Sequence, residues 1–321
     1  MSSKLNFSLT QLEYVLAVQK HGHFAKAAEA CHVTQPTLSM QIQKLEESLG
    51  VIIFDRSKKP ILLTKIGEQI LDQIQKVVSE ARRIDGIIET QNSDLLTGQL
   101  VLGVIPTIAP YLLPRLLPKI ESLYPGIYLQ IKELQTHQII DAFVGDEIDV
   151  GLLAIPISNN KLIEKSLYFE PFLVLSSKAS PLAQYKKIKH QALRSEELWL
   201  LEEGHCLRSQ IIDVCKIKDT EGKKRKYKFE SGNLETLKNL ISSYGGYTLL
   251  PWLAKDHIGE SSKLIEFERP IPAREIGLIY RREHYKIELI NALTEAIIQS
   301  VPDEIRKIRP KDLDVLPVEG A

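Results

Sequence analysis

The chain has little cysteine, little tryptophan and no net charge. Its 321 residues include three cysteines and two tryptophans, and 41 basic side chains are balanced by 41 acidic ones. Three thiols are too few for a disulfide framework, so any disulfide is transient or regulatory. Zero net charge excludes a globally basic nucleic-acid binder and leaves only local patches for phosphate contact. No apolar run approaches the ~20 residues that span a bilayer. Behind Met1-Ser2-Ser3-Lys4 there is no apolar core of a signal peptide. A cytoplasmic protein without a membrane partner is expected. There is no Gly-rich phosphate loop, no nucleophile elbow and no metal-ligand spacing among the histidines and cysteines. Neither cofactor nor metal is expected, and nothing marks an enzyme. What is present is an ordinary composition, 44% hydrophobic and 26% charged, long enough for two domains with cores of their own.

Three blocks follow one another. In the first, residues 1–65, Leu9, Leu12, Val15, Leu16 and Val18 recur at helical spacing, with Gly22 as a stop. A short Ala-rich helix, Phe24 to Ala30, leads to the turn Cys31-His32-Val33. Thr34 is a good N-cap for the next helix, and Pro36 falls in its first turn, where a missing N–H costs nothing. Leu38, Ile42, Leu45 and Leu49 give that helix one apolar face, and Gly50 ends it. Val51–Phe54 and Ile61–Thr64 read as a β-hairpin with a basic tip between them. In the second block, residues 66–95, Ile66, Ile70, Ile74, Val77, Ala81, Ile84 and Ile88 mark one long amphipathic helix. Its apolar stripe needs a partner, which predicts a dimerisation linker. The third block, residues 96–306, alternates strand and helix, the pattern of an α/β domain with a mainly parallel sheet. A Pro-containing charged stretch, residues 307–321, reads as a flexible tail.

The first block has the layout of a winged helix-turn-helix that reads double-stranded DNA. Its second helix opens with Gln35, Pro36, Thr37 and Ser39, and Gln43 and Lys44 follow on the same polar face. Gln35 suits a base edge; Thr37 and Ser39 suit bases or phosphates. Arg56, Lys58 and Lys59 in the hairpin suit the phosphate backbone. The block carries eight basic residues against five acids, a modest excess. The competing reading is a helical bundle with polar caps.

One stretch of the third block carries candidate redox chemistry. In Gly204-His-Cys-Leu-Arg-Ser-Gln210, Cys206 stands where a helix opens, beside His205 and Arg208. A helix N-terminus and neighbouring cations both favour thiolate, so Cys206 is a candidate for oxidation by peroxide to sulfenic acid. Cys215 lies nine positions on. If both sit on one helix, the rise separates them by roughly 13.5 Å, whereas a disulfide needs Cα atoms within about 7 Å. The two bond only if the segment unwinds, aided by the polar stretch Lys216–Lys228. The alternative is two buried small hydrophobes, nine apart by coincidence. Cys31 reads as core packing.

The motifs Leu9-Thr-Gln-Leu-Glu-Tyr14, Val33-Thr-Gln-Pro-Thr-Leu-Ser39, Leu45-Glu-Glu-Ser-Leu-Gly50, Phe54-Asp-Arg56 and Leu63-Thr-Lys-Ile-Gly67 resemble the LysR-type transcriptional regulators. The resemblance covers nearly the whole chain. It implies a two-lobed, periplasmic-binding-protein-like effector domain after the linker helix. Lobe I would comprise about 96–167 and 270–306, and lobe II about 168–269. It also implies a homo-oligomer, a dimer of dimers on promoter DNA, with RNA polymerase as a further partner. Gly204-His-Cys-Leu-Arg208, Val104-Ile-Pro-Thr-Ile-Ala-Pro-Tyr-Leu-Leu-Pro114, Gln135-Thr-His-Gln138 and Thr248-Leu-Leu-Pro251 are similar to the OxyR branch of hydrogen-peroxide sensors. By that resemblance Cys206 is the peroxidatic cysteine and Cys215 the resolving one. Thr107, Thr136 and His205 would line a peroxide pocket, with Arg208, Ser209 and Arg274 beside it. Ser209 departs from the branch, which usually has an acid there. The rival readings are a LysR-type regulator with a small organic effector between its lobes, and a thiol peroxidase. The second leaves the helix-turn-helix unexplained.

Overall fold

The computed structural model describes residues 6–91, 96–157, 159, 161–193, 197–215, 232–256, 258–282, 284 and 286–318. These fold as two compact units. The polar stretch 216–228 and the strand expected at 228–231 lie outside the described residues.

Three helices build the N-terminal unit: α1 (Leu9–His21), α2 (Phe24–Ala30) and α3 (Gln35–Leu49). A capping box between Ser8 and Gln11 starts α1, and Gly22 in the left-handed region ends it. Leu12, Val15, Val18, Phe24, Ala27, Leu38, Ile42 and Leu45 close a single core. The hairpin is shorter than its apolar runs suggest. β1 is Phe54–Asp55 and β2 Leu62–Leu63, paired antiparallel. The N–H groups of Ile53 and Phe54 donate to the carboxylate of Glu46 on α3 (2.7 and 3.2 Å) instead of to a partner strand.

α4 (Lys65–Gln91) is the long helix, and its apolar residues divide between two faces. Ile74 and Val78 are buried in the core of the N-terminal unit, with Ile70 and Leu71 packed against it. Ile66, Val77 and Ile84 are exposed, Ile84 at 60%. The expected single stripe is therefore two. One anchors α4 to its own unit, and the other is exposed.

The C-terminal unit runs β3 (Gly98–Val104), α5 (Ala109–Leu123), β4 (Ile127–Glu133), α6 (Thr136–Val144), β5 (Val150–Ile155), β6 (Leu162–Ser177), β7 (Lys187–Ile188), α7 (Cys206–Cys215), α8 (Leu234–Tyr244), β8 (Tyr247–Pro251), β9 (Ser262–Phe267), β10 (Ile271–Arg281), α9 (Ile287–Ser300), α10 (Asp303–Arg306) and β11 (Leu313–Val315). It has two hydrophobic cores, and β6 serves both. Leu162–Pro171 pairs with β10 over the first core, and Phe172–Ser177 pairs with β8 and β9 over the second. Tyr168 belongs to the first core and Phe172 to the second, so the chain crosses between them around Glu170. β10 makes the return crossing, with Arg274 directly opposite Glu170 in the register. α5 and α8 tie the two halves together. The Tyr111 hydroxyl donates to Glu235 (2.7 Å), and Lys238 Nζ donates to Glu235 (2.9 Å) and to the Asp256 carbonyl (2.8 Å).

Two expectations are corrected. The sheet is mixed rather than mainly parallel: β3 runs parallel to β4 and β5, but β10 is antiparallel to β5 and β6, and β6 to β8 and β9. Two long strands that cross between the same two cores in opposite senses must meet antiparallel. Glu164, Lys165 and Glu170 interrupt the apolar run of β6, which hid its length in the sequence. Nor is the segment after 307 a free tail. β11 pairs parallel with β10, and Leu316 is buried in the second core.

Candidate functional site

α3 and the hairpin together form one polar face of the N-terminal unit. Thr34 Oγ1 caps α3 by accepting the Thr37 N–H (3.4 Å), and the two threonine hydroxyls hydrogen-bond at 2.8 Å. Gln35, Pro36, Gln43 and Lys44 are exposed, and Thr37 and Ser39 are half-buried. Gln43 donates to Glu47 (3.1 Å). Lys58 and Lys59 are exposed at the hairpin tip. Arg56 has structural work as well. Its guanidinium donates to Glu46 Oε2 (2.9 Å), reaches Ser39 Oγ (3.5 Å) and lies 5.1 Å from the Phe24 ring centre. Glu46, nearly buried, thereby joins α3 to the hairpin through both of its oxygens. The sequence did not signal that role, since an acid in the last turn of an amphipathic helix reads as surface.

The second site lies where the C-terminal unit's two cores meet. Cys206, the first residue of α7, belongs to the first core, while Leu207, Ile211, Val214 and Cys215 belong to the second. Gly204, at φ +92°, makes the turn into the helix, and a Cβ there would lie 2.6 Å from Gln135 Oε1. The Thr136 side chain and the charge of Arg274 both act on the Cys206 thiol in favour of its thiolate. Arg274 is fully buried and fully engaged. Nε and Nη2 donate to Glu170 Oε2 (2.9 and 2.8 Å), Nη1 to Thr107 Oγ1 (2.8 Å), and Nη2 also to the Thr107 carbonyl (3.1 Å). Glu170 Oε1 accepts the Leu253 N–H (2.9 Å). A buried charge needs such partners on every side.

Burial pushes the Cys206 thiol above its ordinary pKa, and Arg274, Thr136 and the backbone N–H groups at the helix start only partly offset it. This reverses the expectation of a resting thiolate favoured by His205 and Arg208. Burial holds His205 below its usual pKa, so it is neutral. Its Nε2 faces Gln135 Nε2 at 3.3 Å and Glu202 at 3.8 Å. Arg208 Nη1 donates to the Leu201 carbonyl (2.8 Å). The cation that acts on the thiol is Arg274, far away in sequence on β10.

Of the expected pocket residues, Thr136 and Arg274 are the two that act on the Cys206 thiol, and Thr107 is joined to Arg274. Ser209 is half-buried, three residues along α7. Gln210 is fully buried, one turn beyond Cys206 on the same helix face, and both its amide atoms lack a hydrogen-bond partner among the described residues. A buried amide in that state is an available donor and acceptor beside the thiol. Its signal was legible: a Gln four positions after the cysteine. Glu170 carried no such signal.

Cys215, at the far end of α7, is buried in the second core, and burial pushes its thiol up to about 12. Nine residues of helix separate it from Cys206 by roughly 13.5 Å. Cys31 is half-buried against the N-terminal core.

The model of the bacterial regulatory helix-turn-helix protein, lysR family, matches residues 9–68, and that of the LysR substrate binding domain matches residues 93–302. A hydrogen peroxide-inducible genes activator of Haemophilus influenzae is 34% identical over 94% of this chain and 98% of its own length. The DNA-binding transcriptional dual regulator OxyR of Escherichia coli is 35% identical over 85% of this chain and 89% of its own. Among solved structures, a full-length OxyR cysteine mutant from Pseudomonas aeruginosa matches with a TM-score of 0.78 at 33% identity, over 96% of this chain and all of that one. A hydrogen-peroxide-bound cysteine mutant of Corynebacterium glutamicum OxyR matches with a TM-score of 0.60 at 28% identity, covering 93% of this chain and 94% of that one. The chain belongs to the LysR family of bacterial regulatory helix-turn-helix proteins, on the branch of the OxyR-type hydrogen peroxide-inducible genes activators.

Proposed function

We propose that this chain is a cytoplasmic DNA-binding transcription regulator that senses hydrogen peroxide through Cys206 and Cys215. The observation that carries the reading is the position of the two thiols, at opposite ends of one helix whose ends lie in two different cores. Deprotonated Cys206 attacks one peroxide oxygen, the O–O bond breaks, and protonation of the departing oxygen gives water and a sulfenic acid. Thr136, Thr107 and Gln210 offer the donors and acceptors that hold HOOH and the leaving oxygen, with Arg274, His205, Arg208 and Ser209 around them. Cys215 then displaces the sulfenic oxygen, again as water, to form the disulfide. The separation along α7 exceeds what a disulfide tolerates, so closure requires α7 to unwind. An unwound α7 no longer bridges the two cores, and that is the switch. The protein is oxidised once per signal and is not a turning-over peroxidase.

Mass spectrometry of non-reduced digests tests this directly. A few equivalents of hydrogen peroxide create a linkage between the Cys206 and Cys215 peptides that dithiothreitol cleaves. Two unmodified thiols after treatment would sink the reading and return attention to a small organic effector.

For DNA, Gln35, Pro36, Thr37, Ser39, Gln43 and Lys44 are assigned to the major groove, and Arg56, Lys58 and Lys59 to the phosphate backbone of promoter DNA. A homo-oligomer joined by the exposed face of α4 would hold two such units for adjacent half-sites, with RNA polymerase as the partner on the promoter. Replacing Lys58 and Lys59 together by alanine is expected to weaken binding alike on specific and non-specific duplexes. The slope of log K against log salt becomes shallower by about 0.9 for each phosphate that the variant no longer neutralises. An unchanged slope in a salt titration removes the hairpin tip from the interface.

A further inference from the structure

The second half of the C-terminal unit carries a pocket that the thiol chemistry does not use. Its volume is about 240 Å³, and its walls include Ser180, Glu197, Trp199, Tyr244, Gly245 and Gly246. Main-chain bonds hold those segments together. Ser177, the last residue of β6, donates its N–H to the Gly246 carbonyl (2.9 Å), and Trp199 donates its N–H to the Tyr247 carbonyl (2.8 Å). The Trp199 indole is fixed as well, with Nε1 donating to the Gly245 carbonyl (2.8 Å). Gly246, at φ +86°, permits the approach, since a Cβ there would lie 2.5 Å from the Glu197 carbonyl.

Three features of the walls favour a positive charge. Glu197 supplies a carboxylate, and the only hydrogen bond found for it among the described residues comes from the Ser180 hydroxyl, on Oε2 (2.9 Å). α8 ends at Tyr244, with Gly245 as its C-cap and no basic residue in its last turn, so the negative end of the helix lies at the pocket. Trp199 and Tyr244 meet edge to face, ring centres 6.2 Å apart at 80°, and Tyr244 is 62% exposed, which leaves an aromatic face open to a cation. No wall residue is basic; Lys178, between Ser177 and Ala179 in sequence, is exposed and not among them. One carboxylate is too few for a divalent metal ion, whereas ring surfaces suit an alkyl stem. The volume falls below the ~300 Å³ at which pockets for drug-sized ligands begin.

We propose that this pocket binds a small organic ammonium ion, with its charge on Glu197 and the α8 C-terminus and its stem against Tyr244 and Trp199. Full-length protein is titrated with n-butylammonium, n-butanol and n-butyrate, which share a chain and differ in the charge of the head. Ligand-observed saturation-transfer NMR reads each titration. Only the ammonium should give a saturable signal, and added salt should weaken it. Glu197→Gln keeps an oxygen for the Ser180 hydroxyl and removes the charge, so affinity should fall about tenfold, the loss of one charge-assisted hydrogen bond. Tyr244→Ala changes an exposed side chain without disturbing the core and should lower affinity about twofold to fivefold. A lysine side chain of another protein carries the same head group, so N-acetyl-lysine methylamide is the comparison. Binding of that probe more than about tenfold tighter than butylammonium would assign the pocket to a protein partner and overturn the small-ligand assignment. Equal signals from the three butyl probes, no saturable signal from any, or a butylammonium affinity that Glu197→Gln leaves unchanged would overturn the proposal. None of these readouts depends on Cys206 or Cys215, so the peroxide-sensing reading stands or falls separately.

Discussion

Cys206→Ser protein exposed to hydrogen peroxide forms no internal disulfide, shows no dithiothreitol-reversible change in its DNA contacts, and binds promoter DNA as the reduced wild type does. Serine keeps nearly the size and polarity of the side chain, so α7 and both cores are retained. What goes is the nucleophile. Cys215→Ser should behave differently: it oxidises at Cys206, stops at the sulfenic acid, and never locks. The pH dependence follows from burial. Because the Cys206 thiol sits above its ordinary pKa, the thiolate fraction at neutral pH is small. The first step should then quicken by about tenfold per pH unit until the raised pKa is approached. A rate that is already flat near neutral pH would mean that the reacting state has Arg274 and Thr136 closer to the sulfur. Non-reducing mass spectrometry read beside footprinting of both variants checks the assignment. A wild-type response from Cys206→Ser removes it.

Arg274→Ala is expected to be the most damaging single change in the C-terminal unit. It leaves the Glu170 carboxylate, fully buried, without its cation, and Thr107 without either guanidinium donor. Breaking a buried pair from one side costs about 3–5 kcal/mol, a large fraction of a domain's stability. The same change removes a positive charge that lowers the Cys206 pKa, so the thiol rises further and its oxidation slows. Stability and reactivity should therefore fall together. The double variant Glu170→Gln/Arg274→Met removes both charges of the buried pair and keeps an oxygen for the Leu253 N–H. It should recover much of the stability but not the reactivity. Thermal unfolding and peroxide kinetics on the two variants distinguish these effects. If the double variant is as unstable as Arg274→Ala, the loss comes from packing at the crossover and not from the stranded carboxylate.

The helices of the N-terminal unit were legible because each boundary is local. Gly22, Thr34, Pro36 and Gly50 act within one turn of their own position, and the apolar spacing between them needs no other information. The long helix was legible for the same reason, but not the division of its apolar residues between Ile74 and Val78 inward and Val77 and Ile84 outward. That division depends on the side from which α1 packs against α4. The pairing of Glu46 with Arg56 and the hairpin N–H groups was hidden too, because those groups come from separate segments.

The thiol site divides in the same way. Sequence by itself determined that Cys206 opens a helix, that Cys215 falls nine residues along, and that the two cannot bond while the helix stands, since all three follow from spacing and helical rise. It also placed Thr107 and Thr136 by resemblance. Only the tertiary structure decided which charge acts on the thiol. His205 and Arg208 are its neighbours along the chain, yet one is neutral and the other turned to a carbonyl, while Arg274 arrives from the return crossing of β10 opposite Glu170. It likewise decided that the Cys206 pKa is raised rather than lowered. A pKa is set by desolvation and by charges within a few ångströms, and both depend on how distant segments close around a site, which spacing along one chain does not encode.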